Sequence, residues 1–220
     1  MRYLALTIFF LVCLIHLIDS WKDNKEARAK TKPFLLLFLL LYYFFSADSM
    51  SVPLVLALFT SWLGDVLLIP SGNGWFVSGG ISFLISHLFF IFAYLSCIDL
   101  KTIRWYFLLP AGVIYLAVSL MIMYSVRDNT PKKMMIPMFA YLIINSTMNI
   151  FALMLCFSGK GPGAAVAYFG AILFFFSDCS LFLVRYHKNK ELVFKKHFTI
   201  MITYLLGEFL ITQGILIMSR

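Results

Sequence analysis

Charge is scarce in this sequence. Asp, Glu, Lys and Arg make up 13% of its 220 residues, about half the share of an ordinary soluble domain. They fall in short clusters between long apolar runs, which excludes a soluble domain of any size. Paired cysteines are absent too: Cys13, Cys97, Cys156 and Cys179 stand singly inside apolar segments, without a C-x-x-C pair or framework spacing. They read as small hydrophobes of helix interfaces. The four histidines, His16, His87, His187 and His197, have no H-x-x-x-H or H-E-x-x-H spacing, and no G-x-S-x-G elbow occurs. Neither a metal, a cofactor nor a serine nucleophile is expected.

What is present is hydrocarbon. The chain is 62% hydrophobic, with mean hydropathy +0.91, against about 45–50% apolar residues in a soluble domain. Runs near the length of about 20 residues that a span requires predict helices over Tyr3–Ile18, Pro33–Phe45, Val52–Ile69, Trp75–Cys97, Trp105–Val126, Met134–Phe157, Pro162–Val184 and Phe198–Met218. The fold class is therefore all-α, a polytopic transmembrane bundle of about eight spans forming a single domain over residues 1–220. Met1-Arg2 and the apolar run after it resemble a signal peptide, but no small-residue cleavage site follows, so the run reads as a retained first helix. The second run is short; it is expected to open at Lys32-Pro33, because proline suits the first helical position. Gly163, Ala167 and Ala171, four residues apart, predict close backbone approach along the seventh helix.

The net charge of +8 does not point to nucleic acid, because the cations lie in loops between spans, where positive charge records topology. Thirteen of the 18 Lys and Arg residues fall in the loops after the first, fifth and seventh spans; Arg2, Lys101, Arg104, Lys160 and Arg220 lie on the other face. The richer face is expected to be cytoplasmic, with both termini opposite.

Acids inside spans are candidates for function by default, since an Asp at a helix centre costs about 2.5–3.5 kcal/mol on insertion scales. Asp65, Asp178 and Glu208 qualify. The third and seventh helices both run toward the cation-rich face, which puts Asp65 and Asp178 in one depth zone near it. The sixth helix carries Tyr141, Asn145 and Asn149 at spacings of four, hence on one stripe. That stripe suits a polar pocket and interhelical hydrogen bonding equally. His87, Tyr204 and Glu208 enter from the same side, and Lys32 stands at its rim. The other half of the bundle is nearly pure hydrocarbon, as for a pocket open to one leaflet.

In this order these residues resemble the YhhN family of integral membrane proteins, whose animal members include the lysoplasmalogenases. The matching segments are Lys32-Pro33; Ser61-Trp62-Leu63-Gly64-Asp65-Val66-Leu67-Leu68; Phe76-Val77-Ser78-Gly79 with Phe83 and His87; Gly170-Ala171-Ile172-Leu173-Phe174 with Ser177-Asp178; and Tyr204 with Gly207. The resemblance runs from the first loop to the last helix. One position departs from it: Glu208 stands where the family usually has Gln.

The resemblance implies hydrolysis of the vinyl-ether bond of a lysoplasmalogen to a fatty aldehyde and a glycerophospho-ethanolamine or -choline. Such chemistry calls for one carboxylic acid and one carboxylate, and Asp65 with Asp178 is the expected pair. Lys32 and His87 are expected at the headgroup phosphate, Tyr141 and Asn145 at the glycerol or the water, with Ser177, Tyr204 and Glu208 completing the substrate site. The implied partners are a lysophospholipid substrate and membrane lipids, in a bacterial cytoplasmic membrane or a eukaryotic endoplasmic reticulum. Rival readings are a non-catalytic lipid-binding or lipid-moving protein, a hydrolase of another single-chain lipid, and a small-solute or proton-coupled transporter.

Overall fold

The structure, a computed structural model, describes residues 1–98, 106 and 108–219; Lys101, Arg104, Trp105 and Arg220 of the foregoing reading lie outside them. The described residues form eight helices and no strand: α1 (Arg2–Trp21), α2 (Lys25–Ser46), α3 (Val52–Leu67), α4 (Asn73–Leu95), α5 (Leu109–Val126), α6 (Lys132–Phe157), α7 (Pro162–Tyr186) and α8 (His197–Met218). In hydrocarbon each segment must satisfy its own backbone, and a helix does so internally. Prolines stand in the first turns of α3, α5 and α7, where their missing N–H removes no helical bond.

Seven of the helices are long and apolar enough to cross a membrane. The protein is an integral, multi-pass membrane protein. The expectation of a short second helix opening at Pro33 is corrected: α2 starts two turns earlier, at Lys25. Asn24 caps it, its side chain accepting from the Ala27 N–H at 3.2 Å, and the cap outweighs the proline signal. Pro33 lies inside the helix. The short helix is instead α3, whose 16 residues span about 24 Å.

α7 and α8 are the core pair, with 56% and 61% of their apolar windows buried against 28% for α1 and α5. They run antiparallel at glycine-to-glycine distance. A Cβ on Gly214 would lie 2.5 Å from the Gly163 carbonyl oxygen, and one on Gly170 would lie 2.7 Å from that of Gly207. Ala167 meets Gly214 as well, so the small-residue spacing in α7 is matched by glycines on α8.

α3 and α4 form a second tight pair. Ser61 and Ser86 share a hydrogen bond at 2.6 Å, Ser82 donates to the Thr60 carbonyl, and Gly64 makes room for the Phe83 ring. Trp62 donates to the Pro33 carbonyl at 2.8 Å, joining α2 to α3 beside Lys32. One end of the bundle gathers Lys25 with Ser71 and Arg185 with Asn73; Tyr42 with Gln213 and Tyr43 with Ser51 lie toward the opposite end. The cation-rich loops after α1 and α7 lie at the first of these ends.

Candidate functional site

The two aspartates come from different helices and open onto one cavity of about 360 Å³. α3 delivers Asp65 immediately after the Gly64 contact that seats Phe83, and α7 delivers Asp178 immediately after Ser177, whose hydroxyl donates to the Ile200 carbonyl at 2.9 Å. Lys32, Ser177 and Tyr204 line the same cavity, as do Arg185 and His197 at its mouth. Both acids are buried, at 2% and 6% exposure.

Their surroundings differ. Asp65 Oδ1 lies 3.3 Å from the Lys32 ammonium, and Oδ2 accepts from the Tyr204 hydroxyl at 2.9 Å. Both oxygens of Asp65 are thus engaged, by a cation and a phenol. At Asp178 three partners converge on Oδ2: the Tyr141 hydroxyl at 2.8 Å, Asn145 Nδ2 at 2.7 Å and His87 Nε2 at 3.1 Å. That crowding leaves Oδ1 as the oxygen to present to a substrate.

Behind Asp178 the partners are fixed in turn. Asn149 donates to the Asn145 side-chain oxygen at 3.1 Å and accepts from Tyr115 at 3.1 Å, which sets the orientation of the Asn145 amide from α5. His87 is fully buried, edge-on to Phe174 with centroids 4.8 Å apart, and its Nδ1 has no partner. The stripe of α6 therefore divides: Tyr141 and Asn145 reach the acid, whereas Asn149 holds Asn145.

Two expected placements differ from the geometry. His87 is not among the residues that line the cavity; from α4, which packs against α3 and α6, its ring reaches Asp178 Oδ2 through Nε2 at 3.1 Å. Glu208 is buried at 0% exposure and is not among the residues that line the cavity. Neither of its carboxyl oxygens has a hydrogen-bond partner. Ser61 approaches it, but that hydroxyl is committed to Ser86 at 2.6 Å.

In the sequence Lys25 and Arg28 read only as loop cations that record topology. With Lys32 they stand three and four residues apart, one face of a helix, but that spacing is informative only once α2 is known to begin at Lys25. Among the described residues no three His, Cys, Asp or Glu side chains converge as a metal ion would require.

A multi-pass helical membrane protein with a buried two-carboxylate cavity opening at one end is the class that fold and site define. Within it the chain belongs to the YhhN family, whose profile matches residues 27–215. No curated protein and no solved structure matches the chain.

Proposed function

We propose that this protein hydrolyses the vinyl-ether bond of single-chain plasmalogens, with Asp65 and Asp178 as the acid/base pair. The observation that carries the reading is that two aspartates from separate helices, each oriented by its own buried partners, face one cavity deep in a hydrocarbon bundle. Intramembrane acids are expensive to bury, and acid/base hydrolysis calls for one carboxyl group that gives a proton and another that takes one.

The chemistry needs no more than that proton and water. The acid of the pair protonates the β-carbon of the vinyl ether, and the electrons of the double bond form the new C–H bond. The resulting oxocarbenium ion is stabilised by the remaining carboxylate, which takes a proton from water as its oxygen bonds to the α-carbon. The hemiacetal then collapses: its hydroxyl proton passes to the first carboxylate while the second, now protonated, gives its proton to the departing glycerol oxygen, to give aldehyde and alcohol. Each aspartate ends as it began.

The surroundings suit such a substrate. Through Leu68, Phe76, Phe83 and Leu181 the cavity adjoins an apolar groove of about 150 Å³ between α4 and α6, also lined by Val77 and Met138. A hydrocarbon tail fits there, with the polar backbone beside the acids.

The test is aldehyde release by the purified protein from an alkenyl lysophospholipid, with the saturated alkyl analogue as control. Asp65→Asn and Asp178→Asn should each lower the rate by about 10²–10⁴, the usual loss on removing a general acid or base, while the variants remain monodisperse in detergent. Activity within a few-fold of wild type in either variant removes that residue from the mechanism. Lipid binding without aldehyde release from the wild type leaves a lipid-binding protein instead.

A further inference from the structure

A second cavity, of about 330 Å³, lies beside the first between α1, α2 and α8. The two share Lys32, Leu68, His197 and Met201. Where the first cavity holds carboxylates, the second is lined by Lys25, Arg28 and Lys32 from one face of α2, with His16 from α1 and His197 from α8.

These cations are only partly committed. Arg28 meets Asp23 through a single nitrogen at 2.7 Å, and Asp23 is largely solvent-facing, its side chain 76% exposed. A guanidinium carries five N–H donors, so most of the Arg28 fork is open, and its side chain is only 12% exposed. Lys25 bonds the neutral Ser71 hydroxyl at 2.7 Å. Lys32 reaches into the first cavity, to Asp65 at 3.3 Å.

His16 supplies an independent observation. It is 1% exposed, its Nδ1 lies 2.7 Å from the Thr31 hydroxyl, and its Nε2 is buried with no partner. Buried polar groups are ordinarily satisfied. Because the Thr31 hydroxyl donates to the Ala27 and Arg28 carbonyls, Nδ1 carries the ring proton and Nε2 is an acceptor, one that the water around a polar ligand completes.

We infer that this second cavity is the phosphate subsite for a single-chain glycerophospholipid, with Arg28 and Lys25 gripping the phosphate oxygens and Lys32 standing between that subsite and the aspartate cavity. Arg suits the task because its planar fork matches two phosphate oxygens. The placement rests on the reading of the aspartate cavity as the place where the substrate's glycerol end reacts. The two cavities meet at Lys32, so a substrate with its ether oxygen at the aspartates would carry its phosphate past Lys32 and its tail into the α4–α6 groove.

The test is binding by the full chain in detergent of a non-hydrolysable pair: a saturated 1-O-alkyl glycerophosphocholine and the 1-O-alkylglycerol that lacks the phosphate, with inorganic phosphate as competitor. Wild type should bind the phosphate-bearing lipid at least about tenfold more tightly, roughly what one hydrogen bond to a charged group supplies. Arg28→Gln and Lys25→Gln should each shrink that preference while leaving alkylglycerol affinity unchanged. If Arg28→Gln does not fold, Lys25→Gln carries the test, its bond to a surface serine being dispensable. Equal affinity for both lipids in wild type overturns the subsite, and so does a preference that survives both substitutions. Displacement of the lipid by inorganic phosphate at concentrations near the lipid's own would make this a free-anion site and overturn the headgroup assignment. Neither lipid can be hydrolysed, so a phosphate preference with no vinyl-ether cleavage sinks the catalytic reading alone; cleavage with no preference sinks this one alone.

Discussion

Glu208 has no cation beside it and no donor on either carboxyl oxygen, in the most buried helix of the bundle. An ionised carboxylate there would be uncompensated in a low-dielectric interior, whereas an amide of the same shape carries no charge to bury. Glu208→Gln should then retain most aldehyde-releasing activity with little change in its pH profile. Glu208→Leu should leave stability in unfolding measurements level or raise it, because neither carboxyl oxygen has a hydrogen-bond partner to leave unpaired. A Gln variant as inactive as Asp178→Asn would place Glu208 in the catalytic set and withdraw the two-aspartate assignment. At this scale the acids are legible in the sequence because lipid makes any charge conspicuous. Their partners are not: that His87 orients Asp178 while Lys32 meets Asp65 depends on how α4 and α2 are rotated, which hydropathy does not encode.

The pairing of α7 with α8 places Ser177 and Asp178 against Ile200 and Tyr204, and so builds half of the cavity wall. It depends on glycine at the contact. A side chain at Gly214 would put a Cβ 2.5 Å from the Gly163 carbonyl oxygen and 2.6 Å from the Ala167 nitrogen, and neither backbone atom can move without parting the helices. Gly214→Leu should therefore lower the thermal midpoint in detergent sharply, with an overpacking penalty of at least about 1–3 kcal/mol. Gly74→Ala is the matched control, since a Cβ there meets nothing within 4 Å; its midpoint should stay level or rise. Equal losses from both would show that helix propensity, not the close approach, explains the effect. The small-residue spacing in α7 was readable, but its complement on α8, Gly207 and Gly214, was visible only once the antiparallel register was known. α2 shows the reverse failure: a proline read as a start was overridden by an asparagine cap two turns upstream, and the cationic face of Lys25, Arg28 and Lys32 was hidden as a result.

Across the whole molecule, both cavities open toward the end that carries the loops after α1 and α7. Thirteen of the 18 cations lie in the loops, or in the helix turns next to them, assigned to that side. By the positive-inside rule that end is expected to face the cytoplasm, and with α3 crossing alongside the seven longer helices both termini are expected opposite. A tag fused at Arg220 should react only with reagents on the non-cytoplasmic side of sealed vesicles. Labelling from the cytoplasmic side would invert the orientation and move the site's mouth to the other leaflet, without altering its internal geometry.

By itself the sequence determined that this chain is an eight-helix membrane bundle, which segments form the helices to within a few residues apart from the start of α2, and which acids are out of place in them. All of these follow from local hydropathy and charge, because the bilayer imposes one length and one backbone geometry on every span. The tertiary structure alone decided that Asp65 and Asp178 share a cavity, that three partners converge on a single oxygen of Asp178, and that His16, Arg28 and Lys32 line a neighbouring basic pocket. Those facts join side chains from helices as much as 139 residues apart in the chain, as in the Tyr204–Asp65 bond. They depend on helix rotation and register, which are set by glycine contacts, serine bonds and buried ion pairs between spans, and the hydrophobicity of each span by itself leaves them open.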